Sequence, residues 1–449
     1  MLGFSGTREW VYPQSITGKF TTLRRWTFLA LHLVLFVTPW LKVGGNPLLL
    51  IDIPARQVFF FGAIFTASDS FFLLLILLFA TFALFFFTSL WGRIWCGYTC
   101  PQTVFLETWI RPLEIWIEGD RVQRKRRDGQ EWSFDRAWRK AAKWVAFLAV
   151  SLLLAAAMVS LFVPARELWT GNAGMLAYSF VLIFTALWYL DFTWFREQFC
   201  NFLCPYARFQ SALTDEETLL IGYDPSRGEP RKKGKAAAED GRCIECNKCV
   251  VVCPQGIDIR DGFQLECIQC ARCIDACTSV MDKLGHRTLV EYTSMAEQEG
   301  RKVRRLRPRT IVYGGLLLAL VGFGLTLATQ RMPFEATVNR VPGSLFTVDP
   351  DGFVRNTYLV QITNNKAGDS PVDFTVTVDG IPDAEVLAQN VQLAASETRT
   401  LPLIVRVPQD LGLGRTTELV VRVVTPDGAI DVPTTFKTGA TDESGSEGD

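Results

Sequence analysis

The residues with the clearest chemistry are eight cysteines that lie between Cys243 and Cys277. They form two runs with the same spacing, C-x2-C-x2-C-x3-C, and Pro254 follows the first run at once. Three thiolates spaced in this way wrap around one iron–sulfur cube, and the fourth ligates the other cube of a two-cluster ferredoxin. The pattern therefore predicts two [4Fe–4S] clusters.

The same rule assigns four cysteines to each cluster. The first set is Cys243, Cys246, Cys249 and Cys277, and the second set is Cys253, Cys267, Cys270 and Cys273. A zinc site and disulfides are the alternatives. Zinc sites usually pair two C-x2-C knuckles, which fits a triple run poorly. Thr278 stands where the first run has its proline, but that proline shapes the loop and is not a ligand.

The other four cysteines form two C-x3-C-P motifs, in the stretches WGRIWCGYTCPQTVF and WFREQFCNFLCPYARFQ. The pairs are Cys96 with Cys100 and Cys200 with Cys204. Both motifs have an aromatic residue before the first cysteine, an arginine upstream and an aromatic residue four positions after the proline. A spacing of four places both thiols of a pair on one helix face. We infer a duplicated helical hairpin that brings the two pairs together at one membrane surface.

Four soft donors would select Cu(I), zinc or an iron–sulfur centre. Buried structural cysteines are the plain alternative, and a redox-active disulfide would compete with a reducing cytosol. We interpret the four as a metal site with these thiols as the candidate catalytic groups, and the choice among these ions stays open. Nearby basic residues could lower the thiol pKa values or lie among lipid headgroups, and both readings stay open for Arg93, Arg111, Arg196 and Arg208.

The elements that must position these cysteines are membrane helices, because the chain of 449 residues holds 33 Phe and 13 Trp. About 20 apolar residues cross a bilayer. Five stretches meet that length, and they are 26–43, 71–90, 144–163, 175–195 and 310–329. The segment 44–70 is apolar but broken by prolines, so we expect it at the interface without crossing. Asp191 lies in the fourth stretch and is a candidate functional residue, since ionisable groups at membrane depth usually serve a function.

Charge predicts the orientation of the chain. Basic residues crowd 91–143 and 194–309, whereas the loops 44–70 and 164–174 hold only Arg56 and Arg166. Cytoplasmic loops carry the excess of Lys and Arg. We therefore expect the N-terminus and the cysteine runs in the cytoplasm. Residues 329–449 hold 9 Lys and Arg against 17 Asp and Glu, and five crossings would place them outside.

Other function classes are excluded or disfavoured by composition. His32 and His286 are the only histidines, and a bis-His haem in the membrane needs two in apolar segments, so we expect His32 to be a core or lipid-facing side chain. No G-x-G-x-x-G or P-loop motif is present, which disfavours nucleotide chemistry. The basic stretch 121–127 fits anionic lipid better than nucleic acid. The six methionines form no relay for copper.

In the C-terminal part, the spacing of hydrophobic residues changes from that of a helix to that of a β-strand. Stretches 358–363, 372–378, 401–407 and 418–424 alternate or are β-branched, and Asn-Asn and Asp-Gly turn signals separate them. They predict a β-sandwich of immunoglobulin-like outline. The predicted domains begin with a cytoplasmic N-terminal segment (1–25), a four-span region with both C-x3-C-P motifs (26–230) and a ferredoxin-like insert (231–300). A basic segment with the fifth span (301–329), a periplasmic sandwich (330–438) and a disordered acidic tail (439–449) follow.

This combination resembles the cytochrome c oxidase accessory proteins of the FixG/RdxA/CcoG type. The stretches that carry the resemblance are the two C-x3-C-P motifs, the two cluster runs and NPLLLIDIPAR at 46–56. The resemblance covers nearly the whole chain. It implies a bacterial inner-membrane protein that helps to assemble cbb3-type oxidase and reduces Cu(II) to Cu(I) for delivery to its catalytic subunit.

The leading hypothesis is therefore a membrane cupric reductase. An unknown cytoplasmic donor would reduce the two clusters, and electrons would pass to copper near the C-x3-C-P pairs. The expected partners are the bilayer, oxidase subunits or copper-delivery proteins, with no nucleic acid; a homo-oligomer is left open. The first rival is a quinol-linked ferredoxin, although the fifth span and the outer sandwich disfavour the NapH type. The second rival is a copper-binding scaffold, which would have no need of electrons.

Overall fold

A computed structural model of the chain describes residues 10–66, 69–231, 242–330, 332, 334–343, 345–365, 371–394 and 397–438. The predicted disordered tail at 439–449 lies outside the described residues. The chain divides into two compact units. The first holds residues 1–39 and 71–324, and the second holds 40–70 and 325–449.

The first unit is largely helical. Its α-helices in chain order are α1 (Lys19–Val37), α2 (Ser70–Trp91), α3 (Ile94–Tyr98), α4 (Pro101–Phe105), α5 (Arg111–Glu118), α6 (Arg121–Asp128), α7 (Phe134–Val159), α8 (Ala165–Thr170), α9 (Met175–Leu190), α10 (Pro205–Leu213), α11 (Pro225–Gly228), α12 (Lys248–Val251), α13 (Arg272–Met281), α14 (Met295–Gln298) and α15 (Pro308–Gln330). Wider π-helical turns cover Leu106–Ile110, Asp191–Phe195 and Phe199–Leu203.

Five helical stretches of the described chain are long and apolar enough to cross a membrane, as the sequence predicts. They are Lys19–Trp40, Phe71–Trp91, Phe134–Val159, Met175–Phe195 and Pro308–Thr329. The first begins at Lys19 rather than at the predicted Trp26, because two polar residues of its first turns, Thr21 and Arg24, pack against protein. Arg24, for example, is only 2% exposed.

The third span also begins earlier than predicted, at Phe134 instead of Trp144. Ser133 caps the helix there, since its side chain accepts a hydrogen bond from the Arg136 backbone N–H at 3.3 Å. The early turns then bury Lys143 in an ion pair with Glu118 at 3.0 Å. Charged residues that the sequence pattern placed in a loop are therefore part of the span's first turns.

Within the first unit, the spans pack through small and aromatic residues. α7 and α9 meet through Ala155, Val159, Ala177 and Val181. The second and fifth spans approach each other where Gly314 lies beside the Phe86 ring, and a Cβ at Gly314 would come within 3.2 Å of that ring. Small residues at such crossings let helix backbones approach closely in a membrane.

The cysteine runs fold into a small domain between α10 and α15. Its ends are joined by an antiparallel pair of strands in the first unit, β6 (Leu220–Tyr223) and β7 (Val290–Thr293). A buried core of Ile221, Ile274 and Leu289 supports the loops that carry the cysteines. The strand pair thus closes the cysteine segment into one folded insert.

The insert is fastened to the first span by a helix cap. Asp275 lies on α13 between Cys273 and Cys277, and its carboxylate accepts the Thr21 backbone N–H and hydroxyl, each at 2.7 Å. These groups belong to the first turn of α1, whose N–H groups have no partner within the helix. The cap therefore fixes the first span directly against a cysteine-bearing helix.

The second unit is a β-sandwich with additional short strands. Its strands are β8 (Phe334–Arg340), β9 (Thr347–Val348), β10 (Phe353–Asn364), β11 (Val372–Asp379), β12 (Glu385–Leu387), β13 (Val391–Leu393), β14 (Thr398–Pro408), β15 (Thr416–Thr425) and β16 (Gly428–Lys437). One sheet has the order β12-β14-β10-β8, with β9 beside β10, and the other has the order β13-β11-β15-β16. Alternate residues of both sheets fill the core, including Tyr358, Phe374 and Phe436. All four predicted strands are confirmed, and each is longer than predicted at one or both ends.

The segment after the first span also forms strands, which the sequence pattern did not predict. They are β1 (Lys42–Val43), β2 (Asn46–Pro47), β3 (Leu49–Asp52), β4 (Gln57–Phe60) and β5 (Ala63–Phe65). The last three form one antiparallel sheet. Leu50, Phe59 and Ile64 are buried together on one side of it, which explains the apolar character of this stretch without a crossing.

Candidate functional site

The eight cysteines of the two runs line two separate cavities in the insert. The first cavity is lined by Cys243, Cys246, Cys249 and Cys277. The second is lined by Cys253, Cys267, Cys270 and Cys273, with Cys249 also at its edge. This is the division that the spacing predicts, although the identity of the bound group stays a prediction. All twelve cysteines of the chain are described and carry free thiols, so no disulfide competes with this use.

Each run bends around its second cysteine through a pair of left-handed residues. Glu245 and Asn247 flank Cys246 with φ of 51° and 55°, and Gln269 and Ala271 flank Cys270 with φ of 52° and 59°. Residues other than glycine rarely adopt this conformation. Turns of this kind point successive backbone N–H groups inward and favour anionic groups such as iron–sulfur clusters. The left-handed residues thus lie next to the cysteines that are expected to bind the clusters.

The chemistry of the donor set fits a pair of cubes rather than single ions. Across the described ranges, no three His, Cys, Asp or Glu side chains converge closely enough to hold one metal ion. Thiols spread around a cavity are the arrangement that a larger cluster needs. Tyr223 also lines the first cavity, and its hydroxyl lies beside the Cys243 thiol. The residues present therefore fit [4Fe–4S] clusters, which when bound act as one-electron carriers.

The two cavities differ in how they meet solvent. Cys246, in the first set, is the one exposed cysteine among the twelve. Cys270, in the second set, is buried with 6% exposure and lies in one buried cluster with Ile268 and with Cys96 of the first C-x3-C-P motif. The first set is therefore accessible from outside, and the second faces the membrane-proximal thiols.

Gly97 sets the contact between that motif and the second run. A Cβ on Gly97 would lie 2.6 Å from the Ile268 carbonyl oxygen and 2.9 Å from the Cα of Cys270. Both atoms belong to the backbone, so no side chain could move aside. Only glycine allows α3 to lie directly on the backbone of the second run at this point.

Neither cysteine pair lies on one continuous helix, which corrects the sequence prediction. Cys96 is in α3, but Cys100 is extended, with ψ of 125°, and precedes α4. Cys204 is likewise extended, with ψ of 110°, and precedes α10. The reason is the proline after each second cysteine, because the residue before proline avoids the helical region. The shared break supports the inferred duplication of the two motifs.

The four membrane-proximal thiols are near enough to influence one another. Burial raises the pKa of Cys96 to about 12, and Cys100 and Cys204 add to that rise. Burial also raises the pKa of Cys200, with further contributions from the other three cysteines and Asp191. Cys96 donates a hydrogen bond to the Oε1 of buried Gln210 at 3.1 Å. The structure thus brings these thiols into one neighbourhood.

The arginines beside the motifs mostly have structural contacts. Arg93 donates to the carbonyl oxygens of Leu265 and, at 2.6 Å, of Ala207. It lowers the pKa of Cys96, but burial has the larger effect. Arg111 donates to the Pro254 carbonyl at 3.1 Å. Only exposed Arg208 fits the lipid-headgroup reading, so neither sequence reading holds for all four arginines.

Arg196 instead anchors the second motif to a buried ion-pair network. Its guanidinium binds both carboxylate oxygens of Glu114, at 2.7 and 2.9 Å, and Arg124 binds the same carboxylate at 2.8 Å. Burial opposes ionisation, but Arg196 outweighs it and lowers the pKa of Glu114 to about 2. This network was not predicted, since nothing in the sequence pairs residues 82 positions apart.

The two other residues singled out by the sequence are also buried. Asp191 lies at the end of α9 with 6% exposure, on the side of Cys200. His32 packs between Phe36, Phe105 and Trp109, in agreement with the predicted core position. The Trp109 indole N–H donates to the His32 Nε2 at 2.8 Å.

Three family models match the chain. A 4Fe-4S dicluster domain matches residues 195–295, a 4Fe-4S binding domain matches 72–122, and the IG-like fold at the C-terminal of FixG matches 324–438. The first covers all eight cysteines of the two runs and the second C-x3-C-P motif. The last confirms the immunoglobulin-like sandwich.

Curated relatives align over most of the chain. Protein RdxB of Cereibacter sphaeroides is 38% identical over 426 residues, covering 88% of each chain. Protein RdxA of the same organism is 37% identical, covering 92% of this chain and 93% of the relative. The nitrogen fixation protein FixG of Rhizobium meliloti is 35% identical, covering 84% and 80%.

A crystal structure of a FixG-related protein from Vibrio parahaemolyticus aligns with 24% of this chain and all of that one, at 20% identity and a TM-score of 0.23. That likeness is too weak to show a fold. The long alignments with the curated relatives are decisive, together with the cysteine cavities and the matching domains. The chain belongs to the FixG/RdxA/RdxB family of membrane iron–sulfur electron-transfer proteins.

Proposed function

We propose that this chain is a membrane cupric reductase that serves the assembly of a copper-containing oxidase of the cbb3 type. The two cysteine sets hold [4Fe–4S] clusters, and the four membrane-proximal cysteines are the site at which substrate copper is reduced. Reduction of one Cu(II) to Cu(I) consumes one electron, so each one-electron carrier matches one copper ion. The membrane setting is the bacterial inner membrane, with the insert in the cytoplasm and the sandwich in the periplasm.

One observation carries this proposal. Cys96 lies in one buried cluster with Ile268 and Cys270, and Gly97 lies on the backbone of the same run, so a candidate copper thiol packs on a candidate cluster loop. Electron transfer needs such proximity, whereas a copper-binding scaffold has no use for it. Cys246, the exposed cysteine of the first set, offers the place where a cytoplasmic electron donor would dock.

The thiols also suit the product of the reaction. Soft sulfur ligands prefer Cu(I) over Cu(II), so they favour reduction of the bound ion. The described thiols do not form a ready site for a single ion. We therefore propose that copper draws the two pairs together as it binds, with one ligand of each pair at the extended position before its proline. Cys100 and Cys204 occupy those two positions.

The test is anaerobic copper reduction by the full-length protein. Cluster-loaded protein reduced with dithionite and freed of excess reductant is mixed with Cu(II) and a Cu(I)-specific chelator, and cluster bleaching and Cu(I) are followed together. A variant with serine at 96, 100, 200 and 204 should keep its clusters and lose copper reduction. Thr99→Ala, between the two cysteines of the first pair, serves as the matched control and should reduce copper like the native chain.

The outcome separates the proposal from its rivals. Equal copper reduction by the four-serine variant would show that copper meets the clusters elsewhere. If the four-serine variant loses its clusters, two variants with serine at 96 and 100 or at 200 and 204 are tested instead. Each should keep its clusters and lose copper reduction. Native protein that binds Cu(I) without oxidising its clusters would instead be a scaffold.

A further inference from the structure

The first unit contains a cavity of about 700 Å³ beside the first span. One stripe of α1 lines it at intervals of four residues, and this stripe consists of Arg24, Phe28, His32 and Phe36. Twelve residues of helix at 1.5 Å each make the cavity about 18 Å long. Apart from its polar end, the wall is mostly apolar; Phe28, Leu29 and Phe36 of the first span and Leu153 of the third span contribute to it. A long apolar molecule that reaches the cavity from the bilayer would fit this space.

The polar end of the cavity has hydrogen-bond donors without acceptors. Arg24 is 2% exposed, and its Nε donates to the Gly97 carbonyl at 2.9 Å. Its Nη2 is buried and has no hydrogen-bond partner among the described residues, and the same holds for the Thr108 hydroxyl. A buried donor left without an acceptor is costly. A ligand with acceptor oxygens at one end would relieve this cost.

Glu107 and His32, which also line the cavity, both have defined partners. Glu107 pairs with Arg111 at 3.0 Å and with Arg272 at 2.8 Å. Burial opposes its ionisation, but these arginines outweigh burial and lower the pKa of Glu107 to about 2. Because an indole N–H can only donate, the His32 Nε2 must accept from Trp109, and its Nδ1 donates to the Phe28 carbonyl at 2.7 Å. Four arginines and one carboxylate line the cavity, so the polar end carries excess positive charge.

This polar end adjoins the second cysteine set. Arg111 donates to the carbonyl of Pro254, the residue after Cys253. Arg272 directly precedes Cys273. The head of a ligand would therefore lie one side chain away from two loops of the second set. A phospholipid that only fills space has no need of this position, whereas an electron carrier does.

We propose that this cavity binds a lipid-soluble quinone of the membrane, with its carbonyl oxygens at Arg24 and Thr108 and its tail along the first span. The proposal rests on the function proposed above and makes quinol a membrane-side source of the electrons for copper. Oxidation of one quinol to quinone releases two electrons and two protons. The electrons match the two one-electron carriers of the insert, and the protons leave to water at the cavity mouth beside exposed Arg25.

The first experiment measures quinone binding, which requires no turnover. Full-length protein in detergent is illuminated with a photoreactive ubiquinone analogue, with and without decylubiquinone as competitor, and labelled peptides are identified by mass spectrometry. Label should appear in the peptides of 24–36 and 107–115 and should disappear with decylubiquinone. Label elsewhere would overturn the proposal. So would label that phosphatidylglycerol displaces and decylubiquinone does not, because the cavity would then hold a lipid headgroup.

Two variants test the predicted contacts. Thr108→Val removes one donor without changing shape and should weaken decylubiquinone binding about fivefold. Leu29→Trp fills the cavity from its lipid side and should abolish binding. Thr27→Val, on the same span but outside the cavity, is the matched control and should bind like the native chain. Native affinity in both cavity variants would contradict the assignment.

A separate assay keeps this proposal distinct from copper reduction. In the native chain, dithionite supplies electrons without any quinone. If dithionite-driven copper reduction occurs but no quinone binds, the cavity proposal fails alone. If quinone binds and its quinol reduces the clusters while copper is not reduced, the proposed function fails and the cavity proposal stands.

Discussion

Replacement of Gly97 with alanine is the sharpest test of the junction between the copper thiols and the second cysteine set. The added Cβ would lie 2.6 Å from the Ile268 carbonyl oxygen, whereas ordinary contact begins at 3.4 Å. The two backbones must therefore separate by 3.4 − 2.6 = 0.8 Å to relieve this contact. Overpacking of this kind costs about 1–3 kcal/mol. Because both opposing atoms are backbone, the strain must displace the Cys96 loop from the insert.

We expect the Gly97→Ala variant to keep its cluster content but to lose thermal stability and copper-reduction rate together. Stability is followed as the temperature at which the cluster absorbance bleaches. The rate is followed by stopped flow, as Cu(I) formation from dithionite-reduced protein. Both changes should appear together because one displacement causes both.

Gly315→Ala is the matched control, since a Cβ there meets nothing within 4 Å. It should leave both quantities as in the native chain. If Gly97→Ala matches this control in stability and rate, the close approach is unimportant and the electron route through Cys96 is refuted. If only stability falls, the junction is structural and copper receives its electrons elsewhere.

Three further changes test other parts of the fold. Glu114→Gln removes the anion that holds Arg196 and should cost about 3 kcal/mol in the stability of the membrane unit, from a pKa of about 2 against the ordinary 4.3. In the native chain the stabilisation by the Glu114 carboxylate should be lost as pH falls from about 4 to 2, because the carboxylate takes up a proton. A temperature of thermal inactivation that does not change over this pH range would contradict the prediction. Trp109→Phe removes the indole donor and should shift the NMR signal of the His32 Nε2 toward that of an unbonded ring nitrogen, whereas an unmoved signal would show that the hydrogen bond does not form. Tyr358→Phe breaks a 2.7 Å hydrogen bond and should lower sandwich stability by about 1 kcal/mol, seen as faster amide exchange in β10; unchanged exchange would show that this bond contributes nothing.

The sequence predicted those features that depend on spacing or composition alone. The two cysteine sets follow from C-x2-C-x2-C-x3-C, and the structure lines two cavities with the same two sets. The five spans follow from length and hydropathy. The sandwich strands follow from alternation, because one face of each strand is buried.

The remaining features depend on long-range packing or on short-range geometry that the pattern hides. The strands of 42–65 were missed because each is at most four residues long and Pro47 and Pro54 interrupt them. The break before Pro101 was missed because the spacing of four suggested a helix. The contact of Gly97 with the second run, and of Arg196 with Glu114, joins distant parts of the chain and has no local signature.

The left-handed residues around Cys246 and Cys270 have a consequence for biosynthesis. Strained positions of this kind cost about 1–3 kcal/mol each unless the surroundings hold them in place. Thiolate bonds to iron would stabilise these strained turns. In a cell that lacks iron, the second cysteine run would therefore not fold completely. Cys96 would then have no surface to pack against. Under the function proposed here, iron supply would decide whether copper chemistry begins, and one polypeptide would make the maturation of a copper enzyme conditional on a second nutrient metal.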